Sequence, residues 1–208
     1  MLKSISSVIW IGAIALFCWL MIGLTIPYLT FTYDVDFLLT KQKIIHLKHW
    51  RYAFNLHILF SILTLIAGLT QFSNYVLKKQ KRLHKIMGYV YVFDVLLIAG
   101  PSGLIMAYYA NGTTLAKSSF IILSLLWIAF TAFAIIKIYK KDLIEHQKWM
   151  IRSYALTLSA ISLRLMALIF PHFFHLSAHT EYATIAWLSW TINLVIAESI
   201  IYFKKLSS

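Results

Sequence analysis

The stretch Lys78 to Asp94, KKQKRLHKIMGYVYVFD, runs five basic residues and one histidine straight into an apolar segment. A basic cluster against a long apolar run marks one end of a membrane-crossing helix. Outward from this stretch, runs with little or no charge recur six times, each about 20 residues or longer and able to cross roughly 30 Å of hydrocarbon as a helix. The composition agrees. Of the 208 residues, 61% are hydrophobic and 12% charged, with mean hydropathy +0.77, against about 25% charged in soluble domains. The fold class is therefore read as all-α, an integral membrane helical bundle of six transmembrane spans at 8–29, 52–77, 86–109, 118–136, 153–170 and 182–203. The largest hydrophilic piece, Thr32 to Arg51, leaves no room for a soluble domain, so residues 1–208 are read as a single membrane domain.

Lys and Arg set the orientation. With the amino terminus inside, thirteen of them fall on the cytoplasmic side and five outside, at Lys41, Lys43, Lys48, Arg51 and Lys117, while Arg164 lies within a span. Both termini are then cytoplasmic, and the basic first external loop is the one feature that runs against the rule. The net charge of +12 sits beside span ends, which fits anionic lipids at the cytoplasmic loops and not nucleic acid. No feature identifies a protein partner. The first apolar run exceeds the roughly 7–15 residues of a signal-peptide core and no small-x-small cleavage site follows it, so it reads as a span. Cys18, the single cysteine, lies inside that run and excludes both a disulfide framework and a Cys-x-x-Cys site.

Gly100, Pro101 and Gly103, late in span 3, predict a kink or a short irregular stretch, and Asn111-Gly112 predicts a turn. Ionisable groups within spans cost on the order of 2.5–3.5 kcal/mol on insertion scales, so they face a bundle interior and have partners. Three qualify: Asp94 in span 3, Arg164 in span 5 and Glu198 near the cytoplasmic end of span 6. Asp94 and Arg164 differ in depth by about 6 Å. An arginine leaning toward its helix amino terminus covers that distance, which predicts an ion pair between spans 3 and 5. Arg164 could instead serve as counter-ion to an anionic ligand such as a haem propionate.

His84 and His146 stand at the cytoplasmic starts of spans 3 and 5, at one depth on parallel helices. That placing suits axial ligands on opposite faces of one haem iron. Gly88, one turn beyond His84 on the same face, would admit a porphyrin edge, and Arg82 would meet propionates. Arg164 follows His146 by 18 residues, about five turns, and so points the same way. His57 heads a polar stripe on span 2 with Ser61, Thr64, Gly68 and Gln71. Such stripes also serve ordinary helix packing. External His172, His175 and His179 would form a one-face metal set if that segment were helical. There is no Gly-x-Ser-x-Gly, no phosphate-cradling glycine loop and no His-Glu-x-x-His, so no catalytic residue is assigned.

The segments HILFSILTLIAGLTQF (57–72), RLHKIMGYVYV (82–92), GPSGLIMAYYANG (100–112), HQKWMIRSYALTLSAISLRL (146–165) and WTINLVIAES (190–199) resemble the bacterial membrane-protein family known as domain of unknown function 2306, over residues 50–200. The pattern His-x-x-Trp-Met-x-Arg-Ser with a following Leu-Arg-Leu carries most of the specificity. The resemblance implies a multi-pass protein of the bacterial cytoplasmic (inner) membrane and no assigned reaction. More loosely, the chain is similar to the two-haem membrane cytochromes b, which implies haem b held by His84 and His146. Span 4 has no histidine, so His57 lacks the partner a second haem needs unless His172 or His175 takes that place. Three readings follow: a b-type haem protein transferring electrons, a non-enzymatic scaffold or assembly factor, and a small ion-coupled transporter using Asp94, Arg164 and Glu198.

Overall fold

The computed structural model describes the backbone of residues 2–206 and the side chains of 15–73 and 75–203. Ser207 and Ser208 of the polar tail, and the side chains of Lys3, Lys204 and Lys205 counted for the orientation, lie outside the described residues. The described chain is helical throughout, with no strand: α1 (Leu2–Thr25), α2 (Lys48–Gln71), α3 (Asn74–Lys79), α4 (Lys81–Asp94), a π-helical turn at Val95–Ala99, α5 (Gly100–Tyr108), α6 (Thr114–Tyr139), α7 (Leu143–Thr157), α8 (Ser159–Phe173) and α9 (Ala178–Leu206). Five stretches are long and apolar enough to cross a membrane, Lys48–Gln71, Lys81–Tyr108, Thr114–Tyr139, Leu143–Phe173 and Ala178–Phe203, and a shorter apolar one spans Ala15–Thr30. Large apolar side chains such as Trp19 (71% exposed), Leu97 (64%) and Leu168 (67%) point outward. That outer surface is what helices bathed in lipid present.

The helices overrun the uncharged stretches that predict them. The third span opens at Lys81 rather than Ile86 and the fifth at Leu143 rather than Ser153, because long basic side chains can sit in a helix end while their charged heads stay in water. The second span ends earlier than expected, at Gln71. There the Ser73 hydroxyl accepts from the Val76 amide at 3.4 Å and opens the separate short helix α3. Pro171, expected beyond the fifth span, lies inside α8, which continues to Phe173. The fifth span is also interrupted at Leu158. Thr157 bonds back to the Ser153 carbonyl at 3.2 Å, a contact that bends helices.

Contacts divide the chain into two compact units, residues 1–99 and 100–208. In the first, one stripe of α2 (Trp50, Ala53, Phe54, Thr64, Leu65, Gly68) is buried, at the i, i+3, i+4 spacing of a single helix face. Its small residues allow α4 and the π turn to pack closely. The loop between α1 and α2 folds back on the start of α2 through aromatic rings. Phe54 stacks on Trp50 (5.4 Å) and Phe37 (6.0 Å) and meets the edge of Tyr28 (5.5 Å). Lys41, buried, sits 5.3 Å from the Phe37 ring. A basic loop is thus accommodated by cation–π contact.

In the second unit, hydroxyl and indole groups tie the helices. Ser119 Oγ donates to the Ala186 carbonyl (2.8 Å) and accepts from Trp190 Nε1 (2.9 Å), Trp127 Nε1 donates to Thr157 Oγ1 (3.0 Å), and Thr131 Oγ1 meets Ser153 Oγ (2.7 Å). Asn193 joins α9 to the Ala155 carbonyl (3.1 Å) and to Ser162 (2.9 Å). The Asn111-Gly112 turn precedes α6 as expected. Gly112 has φ +83°, and a Cβ there would lie 2.7 Å from the Tyr182 ring. Both the backbone conformation and the close approach need glycine. Gly112→Ala should therefore cost about 1–3 kcal/mol, read as a lowered unfolding midpoint in detergent, whereas Gly23→Ala, which meets nothing within 4 Å, should leave the midpoint unchanged or raise it.

Candidate functional site

In the first unit the polar centre lies where the third span changes pitch. Pro101 has no amide hydrogen, and its ring would strike the carbonyl four residues back, at Leu97. The π turn Val95–Ala99 precedes it directly, and the wider turn relieves that clash. The expected irregularity is thus a wide helical turn, without unwinding. Asp94 enters this turn with only 2% of its surface exposed. Both carboxyl oxygens are buried and no side chain pairs with them among the described residues, and the donor that faces the carboxyl is the Ala99 backbone amide. From α2, His57 Nδ1 donates to the Ala99 carbonyl at 2.8 Å.

The other end of the α2 stripe makes a second rung. Gln71 Nε2 donates to the His84 carbonyl at 3.1 Å, about 21 Å along the helix from His57. Between them, Ser61 and Thr64 bond to carbonyls of their own helix at 3.4 and 2.6 Å. Gln71 also fills the space beside Gly88, where an added Cβ would lie 3.2 Å from Gln71 Oε1. The notch expected there for a porphyrin edge is therefore occupied by a carboxamide. His84 is half-buried on α4 and Arg82 is exposed.

The second unit positions His146 through a tight turn. Lys141 adopts a left-handed conformation (φ 59°), Lys141 N–H bonds to the Ile138 carbonyl and Asp142 N–H to the Lys137 carbonyl, both at 3.0 Å. This is the double bond of a Schellman closure. Asp142 then caps α7, its carboxylate accepting from the Glu145 amide at 3.1 Å. α7 is thereby folded antiparallel against α6, and His146 Nδ1 donates to the Ala134 carbonyl at 2.8 Å. Because a carbonyl only accepts, Nδ1 carries the hydrogen, and in the neutral ring Nε2 keeps its lone pair.

Among the described residues, Glu198 forms an ion pair with an arginine. Arg152 grips it with Nε–Oε1 at 2.5 Å and Nη2–Oε2 at 2.9 Å, a two-bond geometry special to guanidinium, and lies 4.6 Å from the Trp149 ring. Asp94, in the first unit, has no ion pair among the described residues. Arg164, in the second, bonds to the Ala160 carbonyl of its own helix at 3.1 Å and lines an open crevice of about 250 Å³ with Glu181 and Tyr182. His146 and Arg164 lie on α7 and α8, on either side of the interruption at Leu158. His172, His175 and His179 are exposed. α8 ends at Phe173 and Phe174 is extended, so they do not share a helix face, and no three His, Cys, Asp or Glu among the described residues could hold a metal ion.

The Arg152–Glu198 pair was not anticipated, although both residues sit near the same end of their spans. Arg152→Ala and Glu198→Ala should each destabilise the protein, and the double replacement should reveal a coupling of about 0.5–3 kcal/mol in detergent unfolding. Independent, additive losses would show that the pair holds nothing together.

No curated protein and no solved structure matches the chain. The family described as "Predicted membrane protein (DUF2306)" matches residues 54–201, which include both histidine anchors, the π turn and the Arg152–Glu198 pair. The chain therefore belongs to this family of multi-pass membrane proteins, domain of unknown function 2306.

Proposed function

We propose that this protein is a b-type haem protein of the bacterial cytoplasmic membrane that passes electrons at or across the bilayer. One observation carries the reading: His146, half-buried, gives its Nδ1 hydrogen to the Ala134 carbonyl at 2.8 Å. An iron-binding imidazole is typically held this way, with a backbone acceptor fixing ring orientation and tautomer while Nε2 faces the metal. His146 is the axial ligand in this proposal. His84, half-buried at the start of the third span, is the candidate ligand for a haem held by the first unit. Bound haem would supply one-electron redox chemistry.

The protein's own residues orient the imidazole. The left-handed turn at Lys141 and the Asp142 cap fix the start of α7, and Lys148–Glu145 at 2.6 Å buttresses the next turn. Trp149, one turn on from His146, packs against Phe130 and Phe133 of α6 at 5.3 and 4.9 Å. Arg82, exposed on α4, has the charge and fork that propionates require. The lysines at 78–85 and 137–141 would meet anionic lipid headgroups.

Protein purified from haem-supplemented cells should be red, with a Soret band that shifts on dithionite reduction. His146→Ala should abolish the band or reduce it severalfold, and His46→Ala, in the loop before α2, should leave it intact. Colourless protein from such cells, or a band untouched by both His146→Ala and His84→Ala, would overturn the proposal.

A further inference from the structure

We propose that Asp94 and the π turn after it form a proton-binding site within the membrane, in which the Asp94 carboxyl carries an exchangeable proton. The site is independent of the haem reading, and its carboxyl and π turn belong to the first unit.

Position is the first argument. Asp94 lies 13 residues into the 28-residue span Lys81–Tyr108, about 20 Å from its start, and is therefore near mid-span. Its surroundings are the second. It is 2% exposed, no side chain pairs with either oxygen among the described residues, and the donor beside it is the Ala99 backbone amide. An ionised carboxylate in such a place is strongly disfavoured unless a cation or several donors compensate it, and the usual outcome is neutralisation. No ion pair among the described residues reaches it.

The π turn is the third argument. Turns of this kind recur at functional positions, because one extra residue redirects side chains and frees backbone groups. Here Asp94 begins where the turn opens, and Pro101 withholds its helical donor from the Leu97 carbonyl. A protonated carboxyl needs an acceptor for its O–H, as an ionised one does not. The titratable side chain that α2 brings to the turn is His57, held on the Ala99 carbonyl. On α4, Tyr91 lies three residues before Asp94 and is fully buried. α1, packed on α2, contributes the buried Cys18. None of these is a fixed cation. His57, half-exposed where Asp94 is closed off, is the group placed to exchange protons with the outside of the unit.

Infrared spectroscopy of the full chain in liposomes at neutral pH tests this. A neutral-carboxyl carbonyl stretch is expected that moves down in D₂O, moves further when aspartate is ¹³C-labelled, and disappears in Asp94→Asn. The labelled wild type decides the matter even if the variant fails to fold, since Asp34, Asp36 and Asp142 lie outside the five long spans. A band that moves only with labelled glutamate, or no neutral-carboxyl band at all, overturns the proposal. So does a band that emerges only after sodium is removed, because the carboxylate would then be holding a metal cation.

Discussion

A helix surrounded by hydrocarbon has to satisfy its own peptide groups, and the third span contains the residue least able to comply. Pro101 lacks a donor and its ring crowds the preceding turn. The chain answers with the π turn at 95–99. Much of the first unit's polar structure follows from that local solution. The turn presents the Ala99 carbonyl to His57, and it places Asp94 at its entrance in full burial. A proline that looks like a simple kink signal thus organises a polar centre in the membrane interior.

The two units use different chemistry for one problem. Apolar burial gives little net attraction between helices already dissolved in lipid. The first unit relies on close approach over small residues, an aromatic stack beneath a basic loop, and two side-chain rungs onto backbone carbonyls. The second relies on serine, threonine and tryptophan bonds and on one two-bond ion pair. With the Glu198 side chain 52% exposed and that of Arg152 18%, this pair is a partly exposed clasp and not a deeply buried charge couple.

The helical class and the membrane character were legible because hydropathy and helix length are properties of the chain itself. Helix ends were less so, since Lys81, Arg82 and Lys148 read as loop charge yet sit inside helices. The partners of ionisable groups were the hardest to read. Depth along a span can be counted, but rotation about the helix axis cannot. Depth alone therefore matched Asp94 with Arg164, which lie in different units, and left the Arg152–Glu198 pair unread. The histidine anchors on Ala99 and Ala134 could not be foreseen, because their acceptors are backbone atoms that every residue possesses. Gly88 was read as room for a porphyrin edge, and the side chain beside it is Gln71 of the neighbouring helix.

The hydroxyl and indole bonds of the second unit bear on how it responds to temperature. Association driven by water release carries a large heat-capacity change and weakens on cooling. Ser119, Thr131, Ser153 and Trp190 instead hold their helices by directional contacts made in a medium without water. Separating these helices within a bilayer exposes them to lipid tails, so little new hydration accompanies it. The stability curve of this unit against temperature should accordingly be flatter than the dome of a soluble domain, with less loosening in the cold.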